Sequence, residues 1–194
     1  MKSITSVLFL GVILLAACGG VKSTSDSVFS MDETAEAANT VDAANKKLKL
    51  IKKRFKDNEP RYEELKTALK ARDEAKVRAL ADEFVNQISA GTEEGGEAIE
   101  LLRKARGMNI NDDFKSYLDL KIASLEKYVE AFEQRRQAAQ ILRDGYDPKN
   151  VMNRDRVIAE FKLKEDKFNE IIEEGRQSSQ DANDLAMESL RKKK

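Results

Sequence analysis

Leu118, Ile122, Leu125, Val129 and Phe132 follow one another at steps of four, three, four and three residues. At 100° per residue this spacing keeps five large apolar side chains on one side of an α-helix, whereas a strand would scatter them over both faces. A helix built this way leaves water only by laying its seam against another apolar seam. The same spacing recurs along the chain. Ala38, Val41, Ala44, Leu48, Ile51 and Phe55 form one stripe, and Tyr62, Leu65, Leu69, Val77, Leu80, Phe84 and Ile88 form another. Ile99, Leu102 and Ala105 make a short one, and Val157, Phe161, Phe168, Ile171, Ile172, Leu185 and Leu190 a long one. Nothing in the chain alternates with the period of two that a half-buried strand requires.

Local signals divide these stripes. Ser30 and Glu33 have the spacing of a capping box, so a helix is expected to start there. Asp57-Asn58 followed by Pro60 reads as a break, with the proline in a new first turn. Ala90-Gly91 and Gly95-Gly96 read as the next stop, Gly107 as a C-terminal cap, Asn111 as an N-cap ahead of Asp112 and Asp113, and Gly145 as another end. Asp147-Pro148 offers a final start. The expected fold is therefore all-α: an elongated antiparallel bundle of four long helices plus one short helix, near residues 97 to 106. Extended helical hairpins or an oligomeric coiled coil are the alternative, because charged residues make up 36% of the chain and the apolar seams are narrow.

Residues 1 to 17 have a different character. One lysine and a few polar residues precede the apolar run Val7 to Leu15, which is too short to span a bilayer comfortably and reads as an export signal. The run closes on Leu15-Ala16-Ala17-Cys18, which resembles the lipobox of bacterial lipoproteins. That resemblance implies cleavage between Ala17 and Cys18, a diacylglyceryl group on the Cys18 thiol and acylation of the new amino group. One acyl chain binds a membrane marginally and two or three bind it permanently. The residue after the cysteine is Gly19 rather than the Asp that retains such proteins at the inner membrane in enterobacteria. In a cell with two membranes the resemblance thus implies the periplasmic side of the outer membrane. Residues 18 to 29, small and polar after the cysteine, read as a lipidated N-terminus and flexible tether, and residues 30 to 194 as the helical domain.

Lys46, Lys47, Lys49, Lys52, Lys53, Arg54 and Lys56 form a basic cluster fanned around the side opposite Leu48, Ile51 and Phe55. Its plain reading is a solvated polar face, partly matched by Glu165, Asp166, Glu170, Glu173 and Glu174. Its functional reading is contact with anionic lipid headgroups or an acidic partner. Lysines plus arginines number 35 and acidic residues 35, so no global field points to nucleic acid. Arg135 and Arg136 interrupt the strictest seam and read as rim residues with buried stems. Gly175, Ser178, Ser179, Ala182 and Ala186 lay small residues along one side of the last helix, which suits close helix approach or a groove for a partner helix.

Chemistry is thinly represented. The chain has no His and no Trp, and its one cysteine is Cys18. No thiolate or imidazole metal site, cofactor or catalytic residue is therefore expected. Glu170 with Glu173 or Glu174 lacks the histidine that di-metal bundles add to such pairs. A ligand carrier or enzyme would need a sizeable pocket, which narrow stripes do not suggest. The terminal Lys194 resembles, in that residue alone, the last lysine of the small outer-membrane lipoprotein that is joined to the cell wall. That resemblance implies peptidoglycan attachment through Lys194 as an alternative to a basic solvated tail. Together these features lead to the expectation of a lipid-anchored, non-catalytic helical module that binds an envelope protein or organises the envelope.

Overall fold

The computed structural model describes residues 33 to 192, except the side chains of Phe55, Ser189, Leu190 and Lys192. Four helices follow in order: α1 Thr34–Ala71, α2 Glu74–Arg106, α3 Asp112–Gly145 and α4 Val151–Lys192. The described residues contain no strand, and the fold is an all-α helical bundle.

The boundary at Asp57-Asn58 does not occur. Pro60 lies inside α1 with its ring exposed. Lys56, whose carbonyl loses its amide partner there, is exposed as well, so water can take the place of the missing donor and relieve part of the usual penalty of an interior proline. The chain turns instead at Arg72, whose φ of 57° is left-handed. The Arg72 and Asp73 amides donate back to Leu69 O at 3.2 Å and Ala68 O at 3.0 Å, closing the end of α1. Asp73 then caps α2 by accepting from the Lys76 amide at 3.0 Å. The stripe from Tyr62 to Ile88 is thus shared between two helices.

No break occurs at Gly91, Gly95 or Gly96 either, and the short helix expected at 97 to 106 is the second half of α2. Gly95 is buried at a helix crossing: a Cβ there would stand 2.7 Å from Val129 Cγ2 of α3. Its glycine serves close approach rather than termination. The five expected helices are therefore four. Asn111 caps α3 as expected, accepting from the Phe114 amide at 2.8 Å. The last helix starts later than Asp147-Pro148 suggests. Asp147 accepts from the amides of Lys149 and Asn150 in a turn, and Asn150 accepts from the Asn153 amide at 3.1 Å.

Ser30, half of the expected capping box, lies outside the described residues. Glu33 does not cap its own helix; its carboxylate accepts from the Asn109 amide, and its own amide donates to Asn109 O at 3.2 Å. These two bonds clip the start of α1 to the α2–α3 loop.

Each helix packs antiparallel on the next: α1 on α2, α2 on α3 and α3 on α4. No other pair approaches within 8 Å between Cα atoms among the described residues. Ion pairs mark the registers, Lys47–Glu97, Arg54–Glu94 and Arg61–Glu83 across α1 and α2, then Arg103–Glu126 and Arg106–Asp119 across α2 and α3. Most are exposed and contribute little each, but they fix the sliding position of long helices.

The core is in three clusters. Ala37, Val41, Ala44, Ile99, Leu102, Leu118 and Leu125 fill one end. Leu65, Val77, Leu80, Phe84, Leu142, Tyr146 and Val157 fill the other. Ala131, Phe168 and Ile171 join α3 to α4. Helix α3 lies between two neighbours and so carries two seams. The expected one, centred on the buried Leu118 and Leu125, meets α1 and α2. A second, made of Lys121, Ser124, Tyr128, Ala131 and Arg135, meets α4.

Candidate functional site

Between the two end clusters the interior turns polar. Arg135 of α3 and Glu165 of α4 form a two-pronged ion pair, Nη2–Oε2 at 2.9 Å and Nε–Oε1 at 3.2 Å. Their side chains retain only 18% and 11% of their exposure. Tyr62 of α1 donates its hydroxyl to Glu165 Oε2 at 2.5 Å. The guanidinium carbon of Arg135 also lies 3.6 Å from the centre of the Phe168 ring and 5.0 Å from that of Tyr62, a stacking geometry favourable for a planar cation. Burial, and then the Glu165 charge and hydrogen bond, push the Tyr62 phenol well above its ordinary value. Tyr62 therefore stays a neutral donor. On α2, the buried Gln87 Oε1 accepts no hydrogen bond among the described residues.

Arg135 was expected at a rim and is instead the centre of this layer. A buried, satisfied ion pair fixes which face of α4 meets α3, because sliding either helix by one turn would strand two charges. Tyr62 reaches across from α1, so three helices share one carboxylate. The available signal was weak: an Arg inside a seam and a Glu in a long acidic run look like surface residues until paired.

The basic cluster divides. Lys47 and Arg54 sit on the α2 side and are engaged by Glu97 and Glu94, the latter through contacts of 2.9 to 3.2 Å. Lys52 is on the other flank, near enough to Lys121 of α3 to help lower the pKa of that lysine, whose main cause is burial. Lys46, Lys49, Lys53 and Lys56 are exposed on the outer face of α1 with Leu50 among them. The acidic run does not match this cluster. Glu165 holds Arg135, Glu174 holds Lys127, and Glu170 and Glu173 pair along α4 with Lys167 and Arg176.

The small-residue side of α4 is a close helix contact. A Cβ on Gly175 would lie 2.9 Å from Tyr128 Cε1 and 3.2 Å from Ser124 O. Ser124 Oγ donates to Gly175 O at 2.8 Å, and Ser179 and Ala182 are buried. Helix α3 therefore occupies the place considered for a partner helix. Ser124 and Lys127 have a Ser-x-x-Lys spacing, contrary to the expectation that the helical domain lacks one. Here the hydroxyl is committed to Gly175 and Lys127 to Glu130 and Glu174 at 3.2 and 2.9 Å. No three His, Cys, Asp or Glu side chains among the described residues converge to hold a metal ion. No described helix is long and apolar enough to cross a membrane. Cys18, Ala17 and Lys194 lie outside the described residues. Against known protein families, characterised proteins and solved structures, the chain matches none.

Proposed function

We propose that this chain is a bacterial lipoprotein whose helical body is held at the cell envelope by acyl chains on Cys18 and serves as a non-catalytic binding or organising module. The observation that carries this reading is Leu15-Ala16-Ala17-Cys18 closing an apolar run. Cys18 is also the only thiol in the sequence, so it alone can carry the thioether. The non-catalytic part is supported by the interior groups that are present. Arg135, Glu165 and Tyr62 form a largely secluded polar group, and they satisfy one another rather than face an open cavity. The long outer surfaces of α1 and α4 are the parts left for partners.

Metabolic labelling with a fatty-acid analogue tests the anchor. Cys18→Ser should abolish the label and leave an uncleaved precursor. Undiminished label on the serine variant overturns the reading and the membrane location with it.

A further inference from the structure

Residues 43 to 56 hold seven cations and no carboxylate, in a chain whose charges are elsewhere intermixed and, over its whole length, balanced. The fold sorts these seven. Lys47 and Arg54 are drawn to α2 carboxylates and Lys52 to the flank facing α3. Lys46, Lys49, Lys53 and Lys56 are left at i, i+3, i+7 and i+10, one stripe about 15 Å long on the side of α1 away from the core. None of the four has a hydrogen bond or ion pair among the described residues. Leu50, 52% exposed, lies beside the stripe at its middle.

From this juxtaposition we infer that the outer face of α1 docks on anionic phospholipid headgroups, with Leu50 entering the interface between the lysine ammonium groups. Four ammonium groups on flexible stems suit a fluid surface of phosphodiesters, which needs no fixed geometry, better than a shaped pocket. The inference rests on the lipid-anchor reading for its efficiency. The chain from Cys18 to Thr34 cannot exceed about 55 Å at 3.3–3.6 Å per residue, and Lys46 stands about 18 Å along α1 from its start. An anchor at Cys18 therefore keeps the stripe within reach of the same surface, and weak headgroup contacts become intramolecular.

The test uses protein isolated from cell membranes and carrying Leu50→Cys labelled with a polarity-sensitive dye. It is reconstituted in vesicles of phosphatidylcholine alone or mixed with phosphatidylglycerol, and its intact mass reports acylation at Cys18. The expected result is a blue shift of the dye only with phosphatidylglycerol. About 1 M salt, where the screening length falls to about 3 Å, should abolish it. So should Lys46→Gln, Lys49→Gln, Lys53→Gln and Lys56→Gln together, which should lower the ratio of docked to undocked protein on the order of a hundredfold or more. Circular dichroism of that variant, altered only at exposed positions, checks that its helices are intact. Equal emission in both vesicles by an acylated protein, or a shift that survives the four substitutions, overturns the proposal and leaves the anchor standing. If the mass shows a bare Cys18, the anchor reading fails by itself. Flotation of the Cys18→Ser protein with the two vesicle types then decides: binding that requires phosphatidylglycerol and the four lysines supports the stripe, and equal binding overturns it.

Discussion

Gly175→Ala and Gly96→Ala place the same methyl group in the interior of a long helix and should move stability in opposite directions. A Cβ at Gly96 meets nothing within 4 Å. Only the higher helix propensity of alanine and the loss of unfolded-state freedom are felt, a gain of about 0.5–1 kcal/mol. At Gly175 the new atom would lie 2.9 and 3.0 Å from two ring carbons of Tyr128 and 3.2 Å from the Ser124 carbonyl. The ring can give a little, but the carbonyl is backbone of α3. Moving α3 away stretches the 2.8 Å bond from Ser124 Oγ to Gly175 O. Overpacking of this kind costs about 1–3 kcal/mol. Set against the same propensity gain, it leaves a net loss of up to about 2.5 kcal/mol, about 1 kcal/mol at mid-range. Urea unfolding followed by far-ultraviolet circular dichroism resolves this as midpoints displaced to opposite sides of the parent with similar slopes. If Gly175→Ala raises the midpoint as Gly96→Ala does, α3 and α4 are not in contact at this point, and the register of the last helix is wrong.

Leu125→Ala, at a buried position of the α3 seam, should lower stability by about 2–5 kcal/mol in the same assay; a negligible change would place that seam in water. Arg135→Met should cost about 3–5 kcal/mol by leaving Glu165 buried without its cation, whereas Arg135→Met combined with Glu165→Met should cost much less. Equal losses in the single and double variants would mean the pair is not buried as a unit. Tyr62 gives a pH dependence. Its proton is held more tightly in the fold than at the ordinary value of 10.0, because of burial first and Glu165 second. The stability this confers is full below about pH 10 and lost as pH rises above it. Tyr62→Phe should therefore flatten the alkaline fall in urea midpoint. Some decline should remain from Tyr128 and Tyr146, whose phenols are also raised by burial. An alkaline slope identical to the parent refutes the seclusion of Tyr62.

Helix content and the two cleanest boundaries were legible because their causes are local. Asn111 caps α3 through a bond three residues away, and Gly145 is the last residue of the same helix. The boundaries that failed turned on solvent and on distant neighbours. Pro60 reads as a breaker by its own chemistry, yet it and Lys56, whose carbonyl it leaves unpaired, are both exposed on α1, where water can replace the lost donor. Gly95 reads as a stop, yet what it answers to is Val129 on another helix. Arg72-Asp73, the real turn, contains no glycine or proline to announce it; its one local mark is an aspartate three residues before the amide it caps. The second seam of α3 is faint in the sequence for a related reason. Lys121, Ser124, Tyr128, Ala131 and Arg135 have helical spacing but little shared hydrophobicity, and their fit depends on the glycine, carboxylate and amide that α4 sets opposite them.

The charges follow the same logic. From sequence, the seven cations of α1 and the mainly acidic run of α4 look like partners, since one is a dense block of cations and the other is rich in carboxylates. The bundle keeps them apart, because α4 packs on α3 and α1 packs on α2. The carboxylates of α4 are therefore answered mostly by cations of α3 and of α4 itself, with one bond from Tyr62 of α1. The carboxylates that a neighbouring helix offers to the cations of α1 are those of α2, and two of these, Glu94 and Glu97, take the members of the basic cluster nearest to them. An outer helix of a chain folded back on itself has one flank against its neighbour and one face against nothing. Cations on that face meet no neighbouring helix among the described residues, and the carboxylates nearest in sequence, Asp42 and Asp57 of α1 itself, form no ion pair with the four lysines. Lys46, Lys49, Lys53 and Lys56 are thus left by the topology of the bundle, and any partner that answers them comes from outside it.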